Sequence, residues 1–132
     1  MSVPDRRFTF DYFRYPNDAI DMVRAFEEKH TKPSAYSIMR HLYYFTPLRG
    51  PEAWAQKYPE QLVPRMSFAD AVKAGHRRAK EYTDVHCWVF TDETFAQTMG
   101  DLFQGGYIPW KIEALGRPQQ NQNEFHVLMK KG

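Results

Sequence analysis

A chain of 132 residues, 42% apolar and 16% aromatic, has the length of one domain and enough apolar side chains to fill a core, which excludes wholesale disorder. Its 18 lysines and arginines stand against 16 aspartates and glutamates, a formal charge of +2 so evenly mixed that neither nucleic acid nor a membrane surface is expected as a partner. A lone cysteine, Cys87, excludes an internal disulfide and suits a reducing compartment; no stretch approaches the ~20 apolar residues of a bilayer span, and MSVPDRR carries no apolar run, so a soluble cytoplasmic protein is expected.

Val3-Pro4-Asp5 reads as the end of a strand and its turn. The RRFTFDYFRYP stretch that follows interleaves Arg6, Arg7 and Arg14 with Phe8, Phe10, Tyr12, Phe13 and Tyr15. That mixture suits a ligand-facing loop or a nucleic-acid patch, since guanidinium and aromatic faces both stack and arginine pairs with anions; the alternative is aromatics that anchor a loop onto the core while the arginines face water. Asn17 and Asp18 can cap a helix to about His30, with Ile20, Val23 and Phe26 on one face. Pro33 breaks it, and Ser34 opens a second helical pattern through Tyr36, Ile38, Met39, Leu42, Tyr43 and Phe45.

Prolines at 47, 51, 59 and 64 limit residues 46–64 to turns and one short amphipathic piece. Ser67 caps a helix from Phe68 to about Tyr82, with Asp70 placed for a capping box. The basic residues His76, Arg77, Arg78 and Lys80 sit in its last turns, where the helix dipole alone favours them. Val85–Phe90 reads as a strand, Thr91 as a cap, and Phe95, Met99, Leu102 and Phe103 as the buried stripe of a helix stopped by Gly105-Gly106. Two strands close the chain, 107–115 and 124–130, paired antiparallel across the polar loop GRPQQNQN. In the first, Ile108, Trp110, Ile112 and Ala114 are expected on one face, and Pro109 demands a sheet edge or a strand start.

The order H-x-W-x-F-T-x-E-x-F, carried by His86, Trp88, Phe90, Thr91, Glu93 and Phe95, then a helix ending in Gly-Tyr-Ile and a last strand closing in Lys-Lys-Gly, resembles the C-terminal part of class I S-adenosylmethionine-dependent methyltransferases. VPDRRFTFDYFR is similar to the segment that, in a subset of these enzymes, leaves the fifth sheet strand for an inserted helical region. The resemblance implies an α/β fold: the C-terminal part of a Rossmann-like sheet, with a terminal antiparallel hairpin, a crossover helix and a helical insertion. The whole chain would be one domain, 17–82 the insertion and 84–132 a strand-helix-strand-strand unit, with the last strand inserted between the fifth and the sixth.

Members of that family hold the cofactor on a glycine-rich turn after their first strand. Glycines here fall at 50, 75, 100, 105, 106, 116 and 132, none in such a turn. The expectation is therefore a truncated, substrate-side portion that binds no S-adenosylmethionine alone and is inactive without a cofactor-binding half, or else a non-catalytic binding module derived from the fold. An unpaired edge on the last strand would favour self-association or pairing with that half. The acceptor implied is a small molecule or sugar-related compound.

The resemblance also points to substrate contacts where Asp5, Arg6, Asp11 and Arg14 leave a strand's carboxyl end: an arginine can clamp a carboxylate or phosphate, an aspartate can take a proton. The alternative is a surface ion-pair cluster that fixes the loop. His86 is a candidate general base, or a buried histidine bonded to backbone or to Asp84. Trp88 reads as core or pocket wall rather than as part of a cation cage. Cys87 beside His86 points to the opposite strand face, which disfavours a nucleophile-base pair, and the five histidines show no metal-ligand spacing.

Overall fold

Three strands make one antiparallel sheet in the order β1-β3-β2: β1 is Ser2–Pro4, β2 Trp110–Gly116 and β3 Glu124–Lys131. Five helices accompany it, in a computed structural model that describes all 132 residues: α1 (Ala19–Glu27), α2 (Ala35–Tyr44), α3 (Gly50–Trp54), α4 (Phe68–Arg78) and α5 (Asp92–Gln104). The class is mixed α/β. No helix is long and apolar enough to cross a membrane.

The hairpin β2–β3 forms as its alternation demands, with Phe125 and Val127 buried and His126 and Leu128 outward. On β2 the expected alternation fails. Ile112 pairs with Met129 but Ala114 with Leu128, so Glu113 is an extra residue that turns Ala114 outward and brings Leu115 to the core beside Ile112. Trp110 is left 47% exposed. β2 begins three residues later than expected because the Tyr107 and Ile108 N–H groups both return to the Leu102 carbonyl. Pro109 precedes the edge strand, and its carbonyl accepts from Gly132.

β1 occupies the other side of β3, but only as far as Met1, whose amino group donates to the Val127 carbonyl at 2.7 Å. Met129 and Lys131 lie on β3 beyond its reach.

Four of the helices start on the caps expected of them. The side chains of Asp18, Ser34, Ser67 and Thr91 each accept the N–H three residues on, and Asp18 and Thr91 complete reciprocal boxes with Asp21 and Thr94. The Ser67–Asp70 pair forms only half of a box. α1 stops at Glu27 rather than His30, because Lys29 takes a left-handed φ of 54° and the His30 N–H closes back on the Ala25 carbonyl. α4 stops at Arg78 rather than Tyr82, its last carbonyl accepting from the Thr83 hydroxyl. α5 ends at Gly105-Gly106 as expected: Gly106 has φ +76°, and the Gly106 and Tyr107 N–H groups close on Phe103 and Leu102.

Two packing centres result. Against the sheet, Phe95 of α5 meets Phe90 and Phe125 edge to face at 5.3 and 5.5 Å, with Met22 of α1 packed beside them. α1 therefore turns Met22 inward, and Ile20 and Phe26, expected on its buried face, are 73% and 77% exposed. In the second centre α2 and α4 run antiparallel, bringing Tyr36 to His76, Met39 to Gly75 and Tyr43 to Phe68.

The expected strand Val85–Phe90 is absent. Only Phe90 forms a bridge, parallel to Asp5, and at Val89 Asn17 stands in for a neighbouring strand: the Val89 N–H donates to the Asn17 side chain and the Val89 carbonyl accepts the Asn17 N–H. Residues 84–132 thus read loop, helix, strand, strand.

Candidate functional site

The aromatic-basic loop after β1 is organised by carboxylates that the fold encloses. Asp5, completely buried, accepts from the Arg7 backbone N–H and from its Nε and Nη2, while the same guanidinium reaches Asp92 at the start of α5. The paired carboxylates hold the Arg7 guanidinium above the ordinary arginine range, Asp5 contributing most and burial opposing. Arg6 takes no part in this; its Nη1 donates to the Tyr12 carbonyl.

One turn further on, Asp11 and Arg14 are 2% and 3% exposed. Arg14 Nη1 donates at 2.9 Å both to Asp11 Oδ1 and to the His86 carbonyl, and His86 Nδ1 lies 2.6 Å from Asp11 Oδ2. Burial pushes the Asp11 carboxyl up, but the His86 hydrogen bond and the Arg14 charge outweigh it, and the group stays below the ordinary carboxylate range. An ionised Asp11 can only accept, so His86 carries a proton on Nδ1 and directs Nε2 away from the carboxylate. Nε2 makes no hydrogen bond in the fold, and the side chain is 35% exposed.

The surroundings of this pair are aromatic. The Phe10 ring lies 4.7 Å from His86, and on other sides meets Phe45, stacked at 5.3 Å, and His41, edge-on at 5.5 Å. Arg65 covers the Phe45 ring with Cζ 3.6 Å from its centroid. His41 is held below the ordinary histidine value, by burial first, and its buried Nδ1 has no partner.

Of the residues singled out from sequence, the fold brings Asp11, Arg14 and His86 together and leaves Asp5, Arg6 and Trp88 elsewhere. The ionic cluster on the loop is buried, not a surface one, and His86 turns to Asp11 rather than to Asp84. Trp88, with Val85 and Cys87, lines a separate cavity that His86 does not reach. His41, Arg65 and Asp92 were not foreseen, and Arg7 was read only as part of the arginine-aromatic stretch; for His41 the one signal in the sequence was an aromatic residue, Phe45, four positions on.

None of the seven glycines opens a helix directly after a strand. Gly50 opens α3 without a strand before it, Gly75 and Gly100 lie inside helices, Gly105 and Gly106 end α5, Gly116 ends β2 and Gly132 follows β3. None supplies the strand-to-helix turn on which S-adenosylmethionine would rest. No group of three histidine, cysteine or acidic side chains is placed to hold a metal ion.

The fold and site define a mixed α/β protein whose buried arginine–aspartate pair orients one histidine. No protein-family model, no curated protein and no solved structure matches the chain.

Proposed function

We propose that the chain is the C-terminal, acceptor-side portion of a class I S-adenosylmethionine-dependent methyltransferase, inactive without a separate cofactor-binding half. The Asp11–His86 pair carries the reading. An imidazole with Nδ1–H held by an ionised carboxylate and Nε2 free is built to remove one proton, here from the hydroxyl or amine of a small-molecule or sugar-related acceptor. The proton goes to Nε2, and Asp11 stabilises the resulting imidazolium. Arg14 keeps Asp11 ionised and fixes the backbone at His86. The sheet order, with the last strand between the other two, fits the terminal hairpin of that fold. The methyl donor would be held by the other half.

A second reading, a non-catalytic binding module derived from the same fold, draws support from one contact: Arg14 bonds the His86 carbonyl as well as Asp11, as it would if the cluster served only to fasten residues 84–89.

Methyl transfer measured with radiolabelled S-adenosylmethionine separates the two. The chain alone is expected to bind no cofactor and transfer nothing. Supplied with a cofactor-binding half and a panel of hydroxylated acceptors, it is expected to turn over, and H86N to lower kcat by about 10²–10⁴-fold. Cofactor bound by the chain alone overturns the division of labour; an unchanged kcat in H86N removes the base and favours the binding module.

A further inference from the structure

A cavity of about 660 Å³ lies apart from the Asp11–His86 pair, neither of which lines it. It opens between α1 and α2, floored by Cys87 and Trp88. Phe26, Tyr36 and Trp88 line it with 77%, 54% and 41% of their surfaces still in water. Tyr82, 71% exposed, lines it too; aromatic residues scattered singly over a surface need no explanation, but four around one hollow mark a contact surface.

The charges on its walls are unevenly satisfied. Glu28 already accepts from Arg24 at 2.8 Å and from His30 at 2.7 Å, and Asp21 accepts the Asn17 amide at 2.9 Å and the Asp18 N–H. Lys32 donates only to the neutral Lys80 carbonyl, and Arg40 forms neither a hydrogen bond nor an ion pair. The acids are occupied and two cations are not.

We propose that this groove binds a small planar anion: a flat aromatic ring that stacks on Trp88 and Tyr36, bearing a carboxylate or phosphate that meets Arg40 and Lys32. Guanidinium supplies the fork that such oxyanions accept, and an aromatic wall takes a ring of any substitution. His86 and Asp11 do not line the groove, so its ligand is distinct from the methyl acceptor proposed above.

Cys87 is the chain's only thiol and lines the groove, which makes it the reporter. Iodoacetamide alkylation of the full chain is timed with benzoate, with phenyl phosphate, with inorganic phosphate and with benzyl alcohol at equal concentration. Benzoate, phenyl phosphate or both are expected to slow the reaction, and which one does fixes the acidic group; inorganic phosphate and benzyl alcohol are expected to leave it unchanged. R40Q is expected to weaken the protecting anion by about tenfold while R40K retains most of the protection. No protection by either aromatic anion, equal protection by benzyl alcohol, or an R40Q chain that folds by circular dichroism and binds undiminished overturns the site.

Discussion

Asp11 bears on stability before it bears on any chemistry. It balances the charge of Arg14 where both side chains are 3% exposed, so D11N leaves a buried guanidinium uncompensated. The expected cost is about 3 kcal/mol in urea unfolding, more than for a surface ion pair such as Arg24–Glu28. His41 sets a pH dependence of its own. Burial lowers its pKa, with the Asp11 charge opposing and Arg14, His86 and Arg65 adding to the drop. Because the folded value is the lower one, the unfolded chain takes up a proton first as pH falls past about 6.5, and stability declines from there towards the folded value. Asp11, also lowered, contributes in full above the ordinary carboxylate range and is lost only at more acid pH. H41Q is therefore expected to flatten the stability slope between about pH 5 and 7 and to leave the steeper acid loss in place, read by thermal melts across pH. The sequence offered Asp11 and Arg14 within one loop cluster and His86 as a separate candidate. Their pairing spans 75 positions and depends on how residues 84–89 cross the loop, which no local spacing encodes.

At the scale of elements, what was legible followed from local chemistry and what was not followed from partners. Caps at Asp18, Ser34, Ser67 and Thr91 are decided within three residues, and they hold. The strand at 85–90 and the buried face of α1 depend on what lies alongside, and both differ: Asn17 takes the hydrogen bonds of Val89, and Met22 rather than Ile20 reaches the core. Two substitutions test the local geometry. Lys29 spends left-handed strain to end α1, so K29G is expected to raise stability by about 0.5–1 kcal/mol. Gly75 lets α4 close on α2; a Cβ there would stand 2.3 Å from Met39 Cγ and 3.0 Å from the Ala35 carbonyl. G75A gains about 1 kcal/mol of helix propensity but overpacks the crossing by about 1–3, so a net loss of about 1 kcal/mol is expected in the same unfolding assay.

For the whole molecule the outer face of the sheet matters most. Leu128 of β3 is 56% exposed there. Concentration-dependent association is expected in sedimentation velocity, reduced by L128K; a monomer at every concentration would count against it. A small clasp, by contrast, fastens α3 to the loop between β2 and β3. Trp54 of α3 stacks on Phe8 at 4.8 Å and donates its indole N–H to the Gln122 carbonyl in the β2–β3 loop, while Gly50 sits so close to Asn121 that a Cβ would meet its carbonyl at 2.9 Å. The loop, the arginine-rich arm and α3 are thereby latched at a single indole. That makes Trp54 an optical gauge: in a W88F/W110F background its fluorescence should redden as the clasp opens, at the same denaturant concentration at which amide exchange begins in residues 117–123.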